Sequence, residues 1–345
     1  MDMWLILFCL MLGVPPSPSA HSSGELPWFV KLGEVAVQRK ARVSVVSQVV
    51  LVPDLPTLLD EISRWGPDGQ WPVLIEDPVY APMFIRRFAP ESVRRRATVG
   101  DWSGDRQAKR EAIERAASAA WDVDGRSPAM AAASRGLPIP PGLIVSKIGD
   151  GAVAAAALLA AGRGQDIVWL DVAAGHPNAT LNQQRTTAWV QAVEDAVASR
   201  GRSWQGLGDH VDTITICRGM AARGVTSSPV AIPSEAGGNV AMTDVLGRRV
   251  SGERWAFVGW IFGDHVRTAY MANCSLFLQR DRAWLCDTYP DTPPWNQWAL
   301  APAATWLEKA GWTCDQLIHA TLHEMMRSDM AGVQADLVMM NTKGN

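Results

Sequence analysis

Short apolar runs rich in β-branched residues alternate along this chain with segments whose apolar residues recur at helical spacing. The first run covers residues 43–52, and the apolar residues that follow it fall three or four apart, as on one face of a helix. A second run at 71–75 precedes another helical segment at 81–88, and a third run covers 92–99. Strands that alternate with helices favour an α/β fold with mostly parallel sheets and helices on both faces.

A second region repeats this layout. It has an apolar run at 140–145, an alanine-rich helical segment at 152–161 and another apolar run at 166–170. A charged amphipathic helix at 106–121 and a proline-rich linker at 127–141 separate the two regions. The similar layout predicts that a strand-helix-strand unit is duplicated within the chain.

The rest of the chain continues the alternation of strands and helices. The pattern predicts strands at 211–217, 255–261, 283–286 and 335–340. Around them it predicts helices at 182–199 and 266–279, a loop at 219–242, and one or two helices within 306–326 around Gly311.

These patterns predict three α/β units behind an N-terminal segment at 21–42. We expect the first unit at 43–125, the second at 139–205 and a C-terminal unit at 206–345. The last predicted strand is followed at once by the end of the sequence. Either that strand completes a sheet at its edge, or the unit is truncated there.

The N-terminus has the layout of a secretory signal peptide. An apolar run at 4–14 is followed by small residues up to Ala20, so that cleavage would remove residues 1–20. Because Asp2 stands where such signals carry a base, an N-terminal anchor or a misassigned start are the alternatives. Eleven apolar residues are too few for a helix to cross the ~30 Å of a membrane interior. The sequence therefore predicts an exported protein, periplasmic, envelope-associated or extracellular, without a transmembrane span.

Composition and charge narrow the class of partner. The hydrophobic share of 48% and the charged share of 19% are typical of a folded protein. A net charge of −3 argues against a nucleic-acid-binding protein that works by bulk charge. One segment departs from this balance, since residues 86–110 hold eight basic and three acidic side chains, a local balance of +5. That segment is either a surface for an anionic envelope polymer or a solvated face.

Four cysteines remain once the signal peptide is removed. An oxidising compartment would permit them to pair, with three connectivities open. No Cys-x-x-Cys pair is present, and each cysteine has apolar neighbours, which is typical of inert core thiols. The four are Cys217, Cys274, Cys286 and Cys314.

Two known families are similar to parts of this layout. The apolar run at 49–52 with the strand at 71–75, and the run at 143–145 with the segment 161–168, resemble cell-wall-binding repeats of the second type. From 208 to 289 the order of strands is similar to the caspase-like sheet of gingipain-type cysteine peptidases. The whole chain also resembles a family of bacterial secreted proteins that combine such modules. These resemblances imply extracytoplasmic strand-helix modules.

The catalytic pair of the peptidase family does not appear at the matching positions. That family needs a His-Gly at the end of one strand and a cysteine at the end of the next, so that the imidazole activates the thiol. Here the strand that ends at Met340 leads to Lys343 and Gly344, with lysine in the place of histidine and no cysteine after it. The resemblance therefore implies a degenerate relative of these peptidases.

Acidic residues recur just beyond the predicted strand ends. In an open α/β sheet the carboxyl ends of the strands border the ligand crevice, where carboxylates can bind a cation or a polyhydroxylated ligand. The alternative is that each aspartate caps a helix. The candidates for ligand or cation binding are Asp77, Asp171, Asp209, Asp264 and Asp287.

Histidines provide the remaining candidate chemistry. Asp209-His210 and Asp264-His265 each form an adjacent acid-base pair, although a turn or a helix cap explains them as well. His319 and His323 are four residues apart on a predicted helix, so both rings could meet one metal ion. Their order is not His-Glu-x-x-His, and a solvated helix face is the alternative.

Taken together, the sequence predicts a non-catalytic binding or structural protein of the cell envelope that needs no cofactor. Its predicted partner is a cell-wall or envelope polysaccharide. The alternative is an enzyme, either a hydrolase that uses the acidic rim or a degenerate caspase-like cysteine peptidase relative.

Overall fold

A computed structural model shows two compact units in the chain. One unit spans Gln38–Leu278, and the other combines Met1–Val37 with Gln279–Asn345. The structure describes residues 43–66, 68–100, 102–121, 130–131, 142–170, 213–219, 229–231, 239–241, 257–278, 281–287, 300–309, 311–318 and 337–341. The predicted signal peptide and the N-terminal segment at 21–42 lie outside these ranges.

The larger unit begins with a three-stranded parallel sheet. Its strands are β1 (Gln48–Val52), β2 (Val73–Ile75) and β3 (Ser92–Arg95), in the order β2-β1-β3. Helix α1 (Leu55–Ile62) connects β1 to β2, and helix α2 (Tyr80–Phe88) connects β2 to β3. The residues of β1 alternate between two core clusters, one that contains α1 and one that contains α2, so helices cover both faces of the sheet.

Local sequence signals set the helix boundaries in this region. Asp54 caps α1 by accepting the N–H of Thr57 at 2.8 Å. Pro56 is tolerated in the first turn because N–H groups there have no acceptor within the helix, so a residue without an N–H loses no hydrogen bond. Helix α2 ends at Phe88 because the next residue, Ala89, has a left-handed φ of 48°. Helix α3 (Arg106–Ala119) begins after Asp105, which accepts the N–H of Ala108.

The second sheet of this unit has four parallel strands. They are β4 (Leu143–Ser146), β5 (Asp166–Trp169), β6 (Thr213–Arg218) and β9 (Phe257–Phe262), in the order β5-β4-β6-β9. Between β6 and β9 the short strands β7 (Pro229–Ala231) and β8 (Asn239–Ala241) form an antiparallel ribbon.

Helix α4 (Val153–Arg163) is the centre of the core that joins the two sheets. Its residues 153–161 are fully buried, and the eight that follow Val153 are all alanines or leucines. Small side chains let other helices come close, and Gly162 lies so near Leu276 that a Cβ there would be 2.7 Å from Leu276 Cδ2. Helix α5 (His265–Phe277), which carries Leu276, follows β9 and packs against α4.

A buried asparagine links α5 to the edge of the first sheet. Asn273 accepts the N–H of Val73 at 3.0 Å through Oδ1, and its Nδ2 donates to the carbonyl of Val73 at 2.7 Å. The same Nδ2 donates to Ala269 O within the helix. The side chain thus satisfies both backbone groups of an edge-strand residue 200 positions away.

The smaller unit contains a third parallel sheet. Strands β10 (Arg282–Asp287), β11 (Thr313–Ile318) and β12 (Leu337–Asn341) have the order β11-β10-β12, and helix α6 (Ala301–Lys309) connects the first two. In all three sheets the first strand lies in the middle, with the second strand on one side and the third on the other. The prediction of an α/β fold with mostly parallel sheets is confirmed.

Several sequence-based boundaries were wrong. The predicted division at 205–206 does not separate two sheets, because β6 and β9 continue the sheet that β4 and β5 begin. The segment 313–318 forms β11 rather than part of a helix. The predicted loop at 219–242 holds the ribbon of β7 and β8. The predicted helix at 182–199 lies outside the described residues.

Among the helices that the structure describes, none is both long and apolar enough to cross a membrane.

Replacing Asn273 tests its link to β2. We expect Asn273→Ala to lower the free energy of unfolding by about 2–4 kcal/mol, because the N–H and C=O of Val73 would be buried without partners. Urea denaturation followed by circular dichroism would measure this loss. The control Met271→Ala, on the same helix at a partly exposed position, should change the free energy by less than about 0.5 kcal/mol. Equal effects of the two substitutions would contradict the assigned role.

Candidate ligand-binding edge

Parallel pairing brings the carboxyl ends of β4, β6 and β9 to one edge of the second sheet. The strand order β5-β4-β6-β9 places a topological switch point between β4 and β6, since the chain moves outward from β4 in opposite directions. Ligands of open α/β sheets bind in the crevice at such a point. Three segments meet here, and we call them the carboxyl edge: residues 147–151, 218–219 and 263–265.

A buried ion pair joins the two strands at the switch point. Arg218, the last residue of β6, donates from Nε to Asp150 Oδ2 at 2.8 Å. The side chain of Arg218 is 3% exposed and that of Asp150 is 13% exposed. Removing either partner would leave a charge in a site with little water, so the pair fixes the loop after β4 against the end of β6.

Glycines allow the three segments to approach each other closely. A Cβ on Gly219 would lie 2.1 Å from Asp150 Oδ1, and a Cβ on Gly151 would lie 2.6 Å from Gly263 O. Gly263 itself has a φ of 151°, which side chains rarely tolerate. A larger residue at these places would push the ends of the strands apart.

Asp264 and His265 form the third side of the carboxyl edge. Asp264 caps α5 by accepting the N–H of Arg267 through Oδ1 at 2.9 Å, and its side chain is exposed. Burial lowers the pKa of His265, although the carboxylates of Asp264 and Asp150 raise it in part. The imidazole is therefore neutral near pH 7. Its buried Nδ1 has no hydrogen-bond partner among the described residues.

The structure places the predicted ligand-binding aspartates at different sites. Asp264 lies at the carboxyl edge, whereas Asp77 lies just before α2, where its two oxygens accept the N–H groups of Val79, Tyr80 and Ala81. Asp287 ends β10 in the smaller unit. The predicted ligands Asp171, Asp209, His319 and His323 lie outside the described residues. Within the described part of the chain, no cluster of histidine, cysteine, aspartate or glutamate is arranged to hold a metal ion.

The carboxylates at the matching edge of the first sheet are occupied by internal partners. Asp54 accepts from Thr98 Oγ1 at 2.7 Å in addition to capping α1, and Glu76 accepts from Arg95 Nε at 2.7 Å. Behind them Arg96 bridges Asp60 and the buried Glu61. This edge is closed by capping and ion pairs, so it does not supply a group of free carboxylates.

The four cysteines of the described residues are thiols rather than disulfides. Cys217 precedes Arg218 in β6 and is fully buried, and this burial raises the pKa of its thiol to about 12. A catalytic cysteine needs the opposite environment, one that lowers the thiol pKa. Cys286 in β10 is also completely buried. The thiols at these two strand ends have the environment of core residues.

Arg218 is the residue of the carboxyl edge that sequence analysis missed. Asp150 was visible as an acidic residue after a predicted strand, but Arg218 looked like an ordinary base between a strand and a loop. The position of Arg218 at the end of a predicted strand was the signal that could have identified it. An acid after one parallel strand and a base at the end of its neighbour meet whenever the two strands pair.

No protein-family model matches this chain, and no curated protein matches it. The resemblances to cell-wall-binding repeats and to gingipain-type peptidases therefore stay predictions.

The raised pKa of Cys217 predicts a change of stability at alkaline pH. The thiol stays protonated in the folded protein to about pH 12, whereas in the unfolded chain it ionises near 9.0. Its contribution to stability is complete below pH 9 and is lost as pH rises toward 12, at up to about 1.4 kcal/mol per pH unit. Urea denaturation between pH 8 and 11 should show a shallower decline for Cys217→Ala than for the unaltered protein. Parallel pH profiles would contradict the assignment.

Proposed function

We propose that this chain is an exported, non-catalytic binding protein of the cell envelope, and that it binds a polysaccharide at the carboxyl edge of its second sheet. The observation that carries the proposal is the mixture of groups at the switch point. Asp150, Arg218, Asp264 and His265 combine acceptors and donors within three adjoining segments. Sugar hydroxyls both donate and accept hydrogen bonds, so a mixed set suits them better than carboxylates alone.

Asp264 is the group of this set that a ligand would reach first. Its Oδ1 holds the N–H of Arg267, which leaves Oδ2 on an exposed side chain. The Asp150–Arg218 pair lies deeper and positions the loop that borders the same edge. Asp264 would then contact the ligand directly, and the ion pair would act by holding the edge in shape.

Two observations support binding rather than catalysis. The carboxylates of the described residues that follow the strands mostly cap helices or pair with arginine, as Asp77 and Glu76 do. The thiol of Cys217 is buried with a raised pKa. General acid-base or thiol chemistry requires groups that reach the substrate with a pKa near the working pH.

A pair of matched cap variants tests the proposed site. Asp264 and Asp105 cap α5 and α3 in the same way, each accepting the N–H three residues later, and both are exposed. Asparagine caps helices as well as aspartate. We expect Asp264→Asn to weaken binding to purified envelope polysaccharide about ten-fold, since a charge-assisted hydrogen bond is lost, and Asp105→Asn to leave it unchanged.

Isothermal titration calorimetry of the mature protein would measure both variants. Equal affinities of the two variants, or no binding by the unaltered protein, would contradict the proposal. New reducing ends in the polysaccharide after incubation would instead identify a hydrolase.

The proposed export has its own test. Cells that produce the full chain should release a protein whose N-terminus follows Ala20, because signal peptidase cleaves after small residues. Fractionation and N-terminal sequencing would show this. Recovery of the uncleaved chain in the cytosol would contradict export and leave the binding experiment unaffected.

A further inference from the structure

The two edge strands of the first sheet differ in how their outer backbone groups are hydrogen-bonded. At the β2 edge, Asn273 satisfies both the N–H and the C=O of Val73. At the opposite edge, β3 pairs with β1 on its inner side, and no strand of the described residues pairs with its outer side. All four residues of β3 are exposed. One edge is closed by Asn273, whereas the other consists of exposed residues and has no paired strand among the described residues.

The register of β3 shows which backbone groups point outward. Arg96 donates its N–H to Leu51 O at 2.9 Å, in a register that pairs Leu51 with Arg95. Backbone groups alternate in direction along a strand, so the N–H and C=O groups of Val93 and Arg95 point away from β1. These four groups have the two-residue repeat that an added strand would match.

The side chains of β3 define what kind of strand would fit. Arg94 is exposed and has no side-chain partner among the described residues, whereas Arg95 is bound to Glu76. Val93 is 41% exposed. Neighbouring side chains alternate between the two faces of a sheet. A strand added beside β3 would meet a free positive charge on one face and an apolar side chain on the other.

Further positive charge lies close to β3 in the sequence. Arg86 lies in the last turn of α2, Arg106 begins α3, and both residues are exposed. The remaining basic residues of this segment have other contacts, since Lys109 lies over the ring of Trp102 and Arg110 over that of Trp169. The exposed arginines would favour an acidic partner and speed its approach.

A second copy of this chain suits the edge poorly. Antiparallel pairing of two β3 strands would bring Arg94 and Arg95 of both copies together, and like charges across a strand pair are destabilising. Charge complementarity instead favours a partner with acidic residues.

We propose that the outer edge of β3 accepts an extended acidic segment of another protein as an added strand. In that segment acidic residues alternate with apolar ones, so that an acid lies beside Arg94 and an apolar residue lies beside Val93. Its backbone bonds to the outward N–H and C=O groups of Val93 and Arg95. This surface is separate from the polysaccharide site proposed above and does not depend on it.

Synthetic peptides test the backbone part of this proposal without altering the protein. The probe is a fluorescein-labelled peptide of alternating glutamate and valine, titrated with the mature protein and followed by fluorescence anisotropy. A second peptide has the same sequence but is N-methylated at every second residue, on the edge that faces β3. It keeps its charge, but its backbone cannot donate hydrogen bonds to the carbonyl groups of β3. We expect N-methylation on that edge to weaken binding about ten-fold or more, and N-methylation on the opposite edge to have little effect. Equal binding of all three peptides would overturn strand addition.

A charge reversal tests the side-chain part. Arg94→Glu should weaken binding of the glutamate-valine peptide about ten-fold and should bind a lysine-valine peptide instead. The matched control is Arg115→Glu, an exposed arginine on α3. We expect the control to bind the glutamate-valine peptide like the unaltered protein. Equal losses in both variants would show a general charge effect and overturn the assignment to β3.

Hydrogen exchange decides whether this surface binds a peptide strand or an anionic polysaccharide. The glutamate-valine peptide should slow amide exchange in a fragment that contains Val93 and Arg95, because both N–H groups become bonded. Polyglucuronate carries the charge without amides in this repeat, and it should displace the peptide only weakly. The contrary result would be displacement of the peptide by polyglucuronate at equal concentration of charge, with no slowing of amide exchange in that fragment. That result would show that the surface is a polyanion site and would overturn the proposal.

Discussion

Parallel pairing of strands that lie far apart in the sequence is the constraint on which the other features depend. Each parallel sheet starts from a strand that gains one neighbour on either side, so helices must cross both faces and the carboxyl ends must share an edge. At the carboxyl edge of the second sheet this arrangement brings Asp150 and Arg218 within 2.8 Å. The same rule leaves outer strands whose backbone groups need some other partner.

The alternation of strands and helices could be predicted from the sequence because strands that are buried on both faces are apolar along their whole length. Strands such as β1 and β4 are continuous apolar runs, and the helices between them show regular apolar spacing. Asp54, Asp105 and Asp264 each cap a helix in the structure, as expected from the ordinary preference for aspartate at this position. These signals are local, so they can be read without knowing which strands pair.

Pairing itself was harder to predict. No residue within 206–218 indicates that β6 pairs with β4. Their pairing depends on tertiary packing, since residues of both strands contact the core around α4. Strand β11 looked like the continuation of a helix because Trp312, Cys314 and Leu317 do not alternate strictly with polar residues. Arg218 was missed for the same reason, since its partner belongs to another strand. Asp77 was a candidate ligand because it follows an apolar strand, but that position also suits an acceptor for the first N–H groups of a helix, and this is its role in the structure.

The bond between Asn273 and Val73 also bears on the order of events during synthesis. The first sheet cannot complete its β2 edge until the chain has been made as far as α5, 200 residues later. Contacts of such long sequence separation slow folding, because the chain between them must be ordered first. The β2 edge of this sheet is therefore among the last parts of the larger unit that can reach its native hydrogen bonding during synthesis.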